Sequence, residues 1–404
     1  MKEDIHNFNK RLEEEVKAIL NSPNHFFKID KPDLFRFYKF LLAKGLNSGR
    51  IIKYFYHLKT LANLLQKPFK NATKGDLIEL VSKVERNEKW SEWTKRDFKI
   101  VLKKYIQFIK GYSGNNYPEE VAWIRTWLKN KVTKRPDDIL TEEEVLRLVE
   151  VADNVRDKAF VMALYESGFR IGEFLPLKIK HLEFDSEGCI IRIVSEKSGN
   201  VRAVRLVASA PLLSQWLELH PCKNNPEAYL WVGNGSKGES HLAYRVVIRI
   251  LKKLAKKAGI KKSVNPHAFR HARATHLSKF LSEALLRQYF GWSKNSDMAT
   301  FYVHLTAEDL DAAIKKLHKI GDKVLQKPKV TVKICPRCKE RNETTASFCK
   351  RCGTPLDEKV WAQIDKVEEA LIEFLKVIGE MFPEAKQKFV EIIEKKGLEE
   401  IMNL

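Results

Sequence analysis

Apolar residues return every three or four positions through most of the chain, which is the spacing of a buried helix face. Residues 1 to about 132 follow this pattern, with Phe98, Leu102 and Tyr105 as one example, so an all-helical region is predicted. Its last helix is expected to run from about residue 118 to residue 127. The candidate N-caps in this region are Ser48, Thr73 and Ser91.

The pattern changes after residues 131–138, a polar, basic and proline-broken run that predicts a linker. Thr141 and Glu144 then have the spacing of a capping box, which starts a helix. Two β-rich segments flank a turn-like stretch, residues 195–200, so a hairpin is predicted with Lys197 near its tip. The two segments are 189–194 and 202–207, and the helices predicted around them are 157–168, 210–219, 240–258, two or three between 265 and 304, and 307–317.

A second linker, residues 328–331, precedes the C-terminal part of the chain. Beyond it, a helix from residue 358 onward carries Val360, Ile364 and Val367 at steps of four and three. This short heptad pattern fits packing on a partner helix, and it equally fits folding back within the tail. The predicted domains are residues 1–132, 133–325, 326–356 and 357–404.

Charge indicates an anionic partner. The formal net charge is +21 and the isoelectric point is near 9.5. Residues 357–404 hold 12 acidic and 7 basic side chains, a net of −5, so the preceding 356 residues carry +26. Such an excess favours nucleic acid or another anionic surface, although a lysine-rich solubilising surface gives the same composition.

The sequence predicts no contact with a membrane. No apolar run approaches the roughly 20 residues needed to span a bilayer, and the N-terminus is charged from Lys2 onward, without an apolar signal core. We therefore expect a cytosolic protein. No G-x-x-x-x-G-K-[ST] loop is present in the sequence, so no ATP site is expected.

The most specific local motif is a pair of C-x-x-C knuckles formed by Cys335, Cys338, Cys349 and Cys352. Two such knuckles present four thiolates to one ion and leave no ligand position open, which predicts a structural zinc ribbon. Four free cysteines or an iron site would show the same spacing. The basic side chains between the knuckles allow contact with DNA, and contact with a protein fits equally well.

Residues 265–304 concentrate side chains that bind anions. They include His267, Arg270, His271, Arg273, His276, Arg287, Trp292, Tyr302 and His304. His267 and Arg270 are three residues apart at a predicted helix start, where free N–H groups also favour an anion. Arg170 lies at another helix start, and Lys197 at a hairpin tip can reach a ligand from outside. Taken singly, each of these residues is equally explained by capping, surface exposure or core packing.

Together these residues resemble the tyrosine recombinases, the integrase family of site-specific recombinases. The motifs are G-F-R-I-G-E at 168–173, E-K-S-G-N-V-R at 196–202, H-A-F-R-H-A-R-A-T-H at 267–276, G-W at 291–292 and T-F-Y-V-H at 300–304. Their order and spacing agree with the family over residues 138–317. The zinc ribbon and the tail lie outside the common pattern, and such additions resemble archaeal mobile-element integrases.

The resemblance implies a multi-domain, mainly α protein. A helical, SAM-like core-binding domain would precede an α+β catalytic domain with a small sheet, and the two would form a C-shaped clamp on double-stranded DNA. It implies site-specific recombination through a 3′-phosphotyrosyl intermediate, without ATP or a metal in the chemistry. It also implies a tetramer that acts on two DNA sites.

The resemblance assigns the central roles to four residues. Tyr302 would attack a phosphodiester, leaving a free 5′-hydroxyl. Arg170 and Arg270 would bind the non-bridging oxygens and neutralise charge in the pentavalent state. Lys197 would protonate the leaving 5′-oxygen as general acid.

Three further residues would support this chemistry. His267 would assist proton transfer at the nucleophile, Trp292 would contact a phosphate oxygen and pack against Tyr302, and Glu173 would orient nearby donors. The family more often has histidine where Trp292 stands, and the interval of ten residues from Trp292 to Tyr302 is one longer than usual. Because tryptophan cannot take up a proton, more of that role would pass to His267 and Lys197.

Two other functions fit the same residues. One is nicking and closing of a single duplex, as in type IB topoisomerases. The other is DNA binding by a protein whose catalytic residues are vestigial. The remaining donors are expected to serve packing, a helix face or the DNA backbone, and they are His271, Arg273, His276, Arg287 and His304.

Overall fold

A computed structural model describes residues 4–21, 31–127, 138–194, 201–233, 238–293 and 330–381, together with Ser296, Met298 and Tyr302. The chain forms two compact units, Met1–Arg135 and Pro136–Leu404. As predicted, it is mainly helical with small sheets. No helix in the described part combines the length and the apolar character needed to cross a bilayer.

Every regular element in the described residues of the first unit is a helix, as the apolar periodicity predicts. Its helices are α1 (Phe8–Asn21), α2 (Lys31–Ala43), α3 (Ser48–Leu65), α4 (Lys74–Glu85), α5 (Glu92–Ile109) and α6 (Glu119–Ala122). They bury one apolar cluster, in which the ring of Phe37 lies 5.9 Å from that of Tyr54 and 5.1 Å from those of Tyr105 and Phe108. Burial of these aromatic rings holds the helices together.

Two of the three predicted N-caps in this unit are confirmed. Thr73 caps α4 in a full capping box, and Ser91 caps α5. The prediction for Ser48 is wrong, because Asn47 caps α3 and accepts a hydrogen bond at 2.9 Å from the third residue of that helix. The Ser48 hydroxyl instead bonds Oδ1 of Asn9 at 2.6 Å. Asparagine and serine cap about equally well, so the sequence alone did not separate them.

The predicted last helix of this unit is also wrong in length, since α6 ends after one turn at Ala122. Side chains of α5 bind the carbonyl oxygens beyond that point. Nζ of Lys103 donates to the carbonyl of Ala122 at 3.2 Å and to that of Ile124 at 3.1 Å, and Nε of Arg96 donates to that of Thr126 at 2.7 Å. These bonds satisfy backbone acceptors that a longer helix would have satisfied internally.

The second unit begins with the predicted capping box of Thr141 and Glu144. Its helices are α7 (Glu142–Glu150), α8 (Val155–Ser167), α9 (Ile171–Phe174), α10 (Ala210–Glu218), α11 (Tyr244–Lys257), α12 (Pro266–Leu277) and α13 (Glu283–Phe290). The helix expected from residue 240 starts only at Tyr244. The helix predicted at 307–317 lies outside the described residues.

A three-stranded antiparallel sheet accompanies these helices, in the order β1 (Leu182–Asp185), β2 (Gly188–Val194) and β3 (Val201–Leu206). Strands β2 and β3 are the predicted hairpin, with Ile191 opposite Val204. Strand β1 was not predicted. The hairpin tip, residues 195–200 with Lys197, lies outside the described residues.

A buried carboxylate fixes the exit from this sheet. The side chain of Glu166, near the end of α8, accepts hydrogen bonds from the backbone N–H groups of Val207, Ala208 and Ser209 at 2.8, 2.9 and 2.8 Å. The Ser209 hydroxyl adds a fourth bond at 2.6 Å. The carboxylate therefore satisfies free N–H groups where β3 gives way to α10, and it ties both elements to α8.

The C-terminal part contains a two-stranded antiparallel pair, β4 (Lys333–Ile334) and β5 (Arg341–Asn342). It is followed by α14 (Glu358–Met381), which confirms the helix predicted from residue 358. Val367 and Phe374, two of its heptad positions, are exposed. The remainder of the tail lies outside the described residues.

Candidate active site

Arg170 is the N-cap residue of α9 and follows the turn that ends α8. Gly168 in this turn has φ of 59°, and a Cβ built on it would lie 2.5 Å from Cε1 of Phe290, so the turn requires glycine. The Glu173 carboxylate accepts a hydrogen bond from the Arg170 backbone N–H at 3.0 Å and from its guanidinium at 2.9 Å. The guanidinium is thereby held at the start of α9.

A second arginine, Arg202 of β3, contacts the same carboxylate. Its Nη2 donates to Oε2 of Glu173 at 2.6 Å, and its Nη1 donates to the carbonyl oxygen of Tyr289 at the end of α13. Arg202 is part of the hairpin motif in the sequence, but the sequence predicts no role for it. The available signal was alternation, because Arg202 shares the inward face of β3 with Val204 and Leu206.

Glu173 is surrounded by positive charge. Its burial raises the pKa of the carboxyl group, but Arg202, the Arg170 backbone bond, and the charges of Arg170 and Arg270 lower it by more. The net shift is downward, so Glu173 is a carboxylate at neutral pH. It therefore orients two guanidinium groups and leaves the surrounding cluster with more positive than negative charge.

Arg270 lies on α12, whose start is set by Asn265 as N-cap and Pro266 in the first turn. Its buried guanidinium donates to the carbonyl oxygens of Gly168 and Phe290, both at 2.7 Å. Burial lowers the pKa of Arg270 to about 9, with repulsion from the neighbouring arginines as the next cause. The group stays protonated at neutral pH, in surroundings that would favour an added negative charge.

Tyr302 is buried beside Arg270 and only 2% exposed. It belongs to an apolar cluster with Phe290, and its ring stacks on the indole of Trp292 at 5.6 Å with an interplanar angle of 5°. The guanidinium carbon of Arg270 lies 5.8 Å from the Trp292 ring centroid. Burial raises the pKa of the Tyr302 phenol, although the charge of Arg270 lowers it by a smaller amount. Trp292 thus packs against Tyr302 as the resemblance implied.

Of two histidines one turn apart on α12, one contacts this phenol and the other packs on the first. His271 is half-buried, and its Nδ1 is hydrogen-bonded to the Tyr302 hydroxyl. His267 is exposed, and its ring packs edge to face on that of His271 at 4.3 Å. The histidine on the Tyr302 hydroxyl is therefore His271, which sequence reasoning left outside the site. Its signal was the i, i+4 spacing from His267, which places both side chains on one helix face.

The structure brings five of the six predicted catalytic residues into one region. They are Arg170, His267, Arg270, Trp292 and Tyr302. The sixth, Lys197, lies outside the described residues, as does His304. Glu173 contacts Arg170 and Arg202, as expected of a residue that orients donors.

The opposite side of α12 carries a second polar group, here called the Tyr165 cluster, formed by Glu142, Tyr165, Arg273 and His276. The Tyr165 hydroxyl is hydrogen-bonded to Nδ1 of His276 at 2.6 Å and donates to Glu142 at 3.1 Å. The guanidinium of Arg273 lies 5.3 Å from the Tyr165 ring centroid. Of the roles left open by the sequence, packing within the fold describes the contacts of Arg273 and His276, and Arg287 pairs with Glu283 along α13.

The four cysteines of the C-terminal module converge. Their Sγ atoms all lie within 4.8 Å of one another, with Cys335 to Cys352 at 3.6 Å and Cys338 to Cys349 at 3.5 Å. These separations exceed the ~2.05 Å of a disulfide. They approach the ~3.8 Å between ligands of a tetrahedral zinc ion with Zn–S bonds of about 2.3 Å. Hydrogen bonds from Thr354 lower the pKa of the Cys352 thiol to about 6, which favours the thiolate that a metal binds. The donor set fits zinc.

Comparison with known proteins finds similarity to one family over the part of the chain that holds the site. Residues 138–309 match the phage integrase family. The tyrosine recombinase XerA of Pyrococcus furiosus is 29% identical over 285 residues, which cover 70% of this chain and 92% of that protein. The module of Cys335 to Cys352 lies beyond the residues that match the family.

Two solved structures share the fold. The XerH site-specific recombinase, bound to a palindromic difH substrate after cleavage, has a TM-score of 0.51 and 22% identity, and covers 79% of this chain and 98% of its own. A lambda integrase tetramer bound to a Holliday junction has a TM-score of 0.52 and 19% identity, and covers 71% and 80%. At these identities the likeness concerns the fold alone.

Proposed function

We propose that this chain, which belongs to the tyrosine recombinase family, is a site-specific DNA recombinase that cuts and rejoins strands through a bond between Tyr302 and a 3′-phosphate. The observation that carries the proposal is the packing of Tyr302 on Trp292 beside the buried guanidinium of Arg270. A nucleophile and a cation are thereby brought together from two separate segments of the chain.

The charge balance of the site supports a phosphodiester as substrate. Three guanidinium groups, of Arg170, Arg202 and Arg270, surround the carboxylate of Glu173 among the described residues. Their mutual repulsion is one reason why the pKa of Arg270 is lowered. A phosphate bound beside Arg170 and Arg270 would relieve this repulsion, and the relief grows as charge develops in the pentavalent state. Arg202 already bonds Glu173 and a backbone carbonyl, so its role is to hold the cluster.

The other roles follow from position. Tyr302 attacks phosphorus, and Lys197 protonates the departing 5′-oxygen as general acid. His267, exposed at the start of α12, assists proton transfer. Trp292 offers its indole N–H to a phosphate oxygen, and Glu173 orients Arg170. The arginines supply the positive charge that the transition state requires.

We further propose that the four predicted domains divide the work on double-stranded DNA. Residues 1–132 would bind the core site, 133–325 would catalyse, 326–356 would form a zinc ribbon, and 357–404 would supply helices for contacts between copies. The lambda integrase structure is a tetramer on a Holliday junction, and by analogy we propose a tetramer on two DNA sites. A mobile-element origin and a cytoplasmic location remain predictions.

For the ribbon, Cys335, Cys338, Cys349 and Cys352 would hold one structural zinc ion. Binding would stabilise the folded module by about 10–16 kcal/mol, because the ligands converge only on folding. Metal analysis of purified protein should give about one zinc per chain. A zinc-free protein in which this module is folded would contradict the assignment.

The decisive test uses covalent trapping. Wild type and Tyr302→Phe are incubated with a library of nicked duplexes whose sequence is randomised on both sides of the nick. Cleavage close to the nick releases a short fragment, so a competent protein stays attached to its DNA. Wild type should give an adduct that survives denaturation, with the phosphate on Tyr302. Sequencing the attached DNA would define the preferred site, called the trapped duplex below.

Tyr302→Phe should bind the trapped duplex nearly as well as wild type and form no adduct, because only the phenolic oxygen is lost. An adduct formed by this variant would show that another residue is the nucleophile. Sequence-indifferent relaxation of supercoiled DNA without joint products would favour a topoisomerase. Binding without any adduct by wild type would indicate a vestigial site.

A further inference from the structure

We propose that His271 is a catalytic residue that accepts the proton of the Tyr302 hydroxyl during strand cleavage and returns it during religation. The proposal rests on the proposed function, because it concerns the same nucleophile. It adds a residue for which the sequence predicts only packing, a helix-face position or contact with the DNA backbone. The carrying observation is the hydrogen bond between Nδ1 of His271 and the Tyr302 hydroxyl.

The surroundings of this bond suit proton transfer. The Tyr302 ring is fixed by stacking on Trp292, and α12 fixes the backbone of His271 one residue after Arg270. His271 is half-buried, so it lies between the buried phenol and the exposed ring of His267. A base that is aligned with the phenol before DNA binds needs no rearrangement to take its proton.

The chemistry of the site also requires such a group. Burial raises the pKa of the Tyr302 phenol, so little phenolate exists at neutral pH without a proton acceptor. Trp292 stacks on the phenol but has no basic atom. Arg270 stabilises negative charge and, as a cation, cannot accept a proton. His271 places a basic nitrogen, Nδ1, in hydrogen-bond contact with the reacting oxygen.

The step balances in protons and bonds. With its own proton on Nε2, the His271 ring accepts the phenolic proton at Nδ1 as the Tyr302 oxygen bonds to phosphorus. The bond from phosphorus to the 5′-oxygen breaks, and that oxygen takes its proton from Lys197, the proposed general acid. On religation the 5′-hydroxyl gives its proton back to Lys197 as its oxygen bonds to phosphorus. The bond from phosphorus to the Tyr302 oxygen breaks, and the imidazolium of His271 protonates the departing phenolate. No proton, electron or co-reactant is consumed.

The variant His271→Asn tests this directly, because the asparagine carbonyl can accept the phenol hydrogen bond near the position of Nδ1 but cannot retain a proton. On the trapped duplex we expect adduct formation to slow by about 10²–10⁴-fold at neutral pH. Melting temperature and DNA affinity are measured in parallel. His271→Gln is the second variant if the first does not fold.

Two readouts separate a base from a structural support. In His271→Ala, added imidazole should restore part of the rate, since it supplies the missing acceptor. The deficit of His271→Asn should shrink as pH rises from about 6 to 9, because more of the phenol ionises unaided. The groups that face His271 include His267 of the same helix and Tyr302, with Arg270 acting on the phenol. The pH profile is therefore also recorded in His267→Asn.

A substrate with sulfur in place of the scissile 5′-oxygen shows whether a residue acts on the leaving group or on the nucleophile. Sulfur leaves without protonation, so it should rescue Lys197→Ala and should not rescue His271→Asn. Rescue of His271→Asn by this substrate would overturn the proposal. So would adduct formation by His271→Asn within about threefold of wild type at every pH, since a lost general base costs far more. If wild type itself forms no adduct, the proposed function fails instead, so the two failures are distinguishable.

Discussion

Two arginines of α12, three residues apart, lie in contrasting electrostatic surroundings. Arg270 donates hydrogen bonds to two backbone carbonyls and lies beside Tyr302. Among charged side chains, Arg170 and Arg202 have the largest effect on its pKa. Burial and their repulsion lower its pKa to about 9. Its charge is therefore only partly compensated in the protein without DNA.

Arg273 shows the opposite balance. Burial lowers its pKa, but the phenols of Tyr289 and Tyr165 and the carboxylate of Glu166 raise it by more, so the net shift is upward. The surrounding protein thus stabilises the charge of Arg273. In this cluster the Tyr165 hydroxyl is hydrogen-bonded to Glu142 and His276, as expected of a structural network, whereas Nε of Arg273 is buried without a hydrogen-bond partner among the described residues.

The contrast teaches that burial alone does not distinguish a binding cation from a structural one. Arg270 is buried, Arg273 is half-buried with its Nε shielded from solvent, and both come from the same motif. The difference lies in the balance of charge, because Arg270 shares the Glu173 carboxylate with Arg170 and Arg202, and these two arginines repel it. Around Arg273 the attraction of its neighbours, Glu166 among them, exceeds the effect of burial. A buried cation with incomplete compensation indicates a site for an external anion, so Arg270 belongs to the substrate site and Arg273 to the scaffold.

The largest expected effect comes from substituting the two arginines, and the contrast between them fails if both variants behave alike. Arg270→Lys should slow adduct formation on the trapped duplex by about 10²–10³-fold, because one ammonium cannot replace the planar guanidinium at a developing charge. Arg273→Met should instead lower the free energy of unfolding by about 3 kcal/mol, since a buried network loses one partner.

Rates are compared per folded molecule, and unfolding is followed in urea for both variants. The comparison would fail if Arg273→Met, measured where it is fully folded, lost as much activity as Arg270→Lys. It would also fail if Arg270→Lys reacted at the wild-type rate. Both variants should retain DNA binding well above that of an unfolded chain.

A second prediction concerns Arg202, which bonds the Glu173 carboxylate near Arg270. Arg202→Met removes the bonds to Glu173 and to the Tyr289 carbonyl, and should cost about 2–3 kcal/mol of stability. The expected loss of stability is smaller than for a fully orphaned buried charge, because Glu173 keeps Arg170 as a partner. Urea unfolding provides the measurement.

The matched control is Arg192→Met on the neighbouring strand β2. Arg192 also pairs with a carboxylate, that of Glu183 at 2.9 Å, but both side chains are more than half exposed. An exposed pair of this kind contributes at most about 1 kcal/mol. Equal losses of unfolding free energy in the two variants would show that the buried pair of Arg202 and Glu173 stabilises the protein no more than an exposed pair.

Much of this architecture was predictable where the signal is local. The capping box at Thr141 and Glu144 and the cysteine knuckles each lie within a short stretch of sequence, so their geometry follows from spacing. The site residues Arg170 and Tyr302 were identified through motifs whose order and spacing resemble a known family. The end of α6 was not predictable, because it depends on side chains of α5 that lie about 20–30 residues earlier in the chain.

The partners of the site residues were hidden for a similar reason. The contact of His271 with Tyr302 joins positions 31 apart, and that of Arg202 with Glu173 joins positions 29 apart. Only the folded chain decides which of several histidines reaches the phenol, or which arginine reaches the carboxylate. Strand alternation and the i, i+4 histidine pair were signals in the sequence, but neither specifies a partner.

The smallest expected effect is a pH dependence of stability that arises from His276, which lies with Arg273 in the Tyr165 cluster. Burial lowers the pKa of His276 in the Tyr165 cluster to about 4, from 6.5 in an unfolded chain. Because the folded state binds this proton more weakly, the contribution of His276 to stability is complete above pH 6.5 and is lost as pH falls towards 4. At pH 5 the loss should be about 2 kcal/mol.

Urea unfolding at pH 7 and pH 5 isolates this contribution when wild type is compared with His276→Gln, in which the amide can still bond the Tyr165 hydroxyl. The variant should lose less stability than wild type over this interval, by about 2 kcal/mol. Buried His57, whose pKa is likewise lowered to about 4, titrates in both proteins and cancels in the comparison. At neutral pH the variant should form adduct at the wild-type rate, because His276 lies with Arg273 on the structural side of α12. An identical pH response in the two proteins, or a loss of activity in the variant at neutral pH, would place His276 elsewhere than in the scaffold.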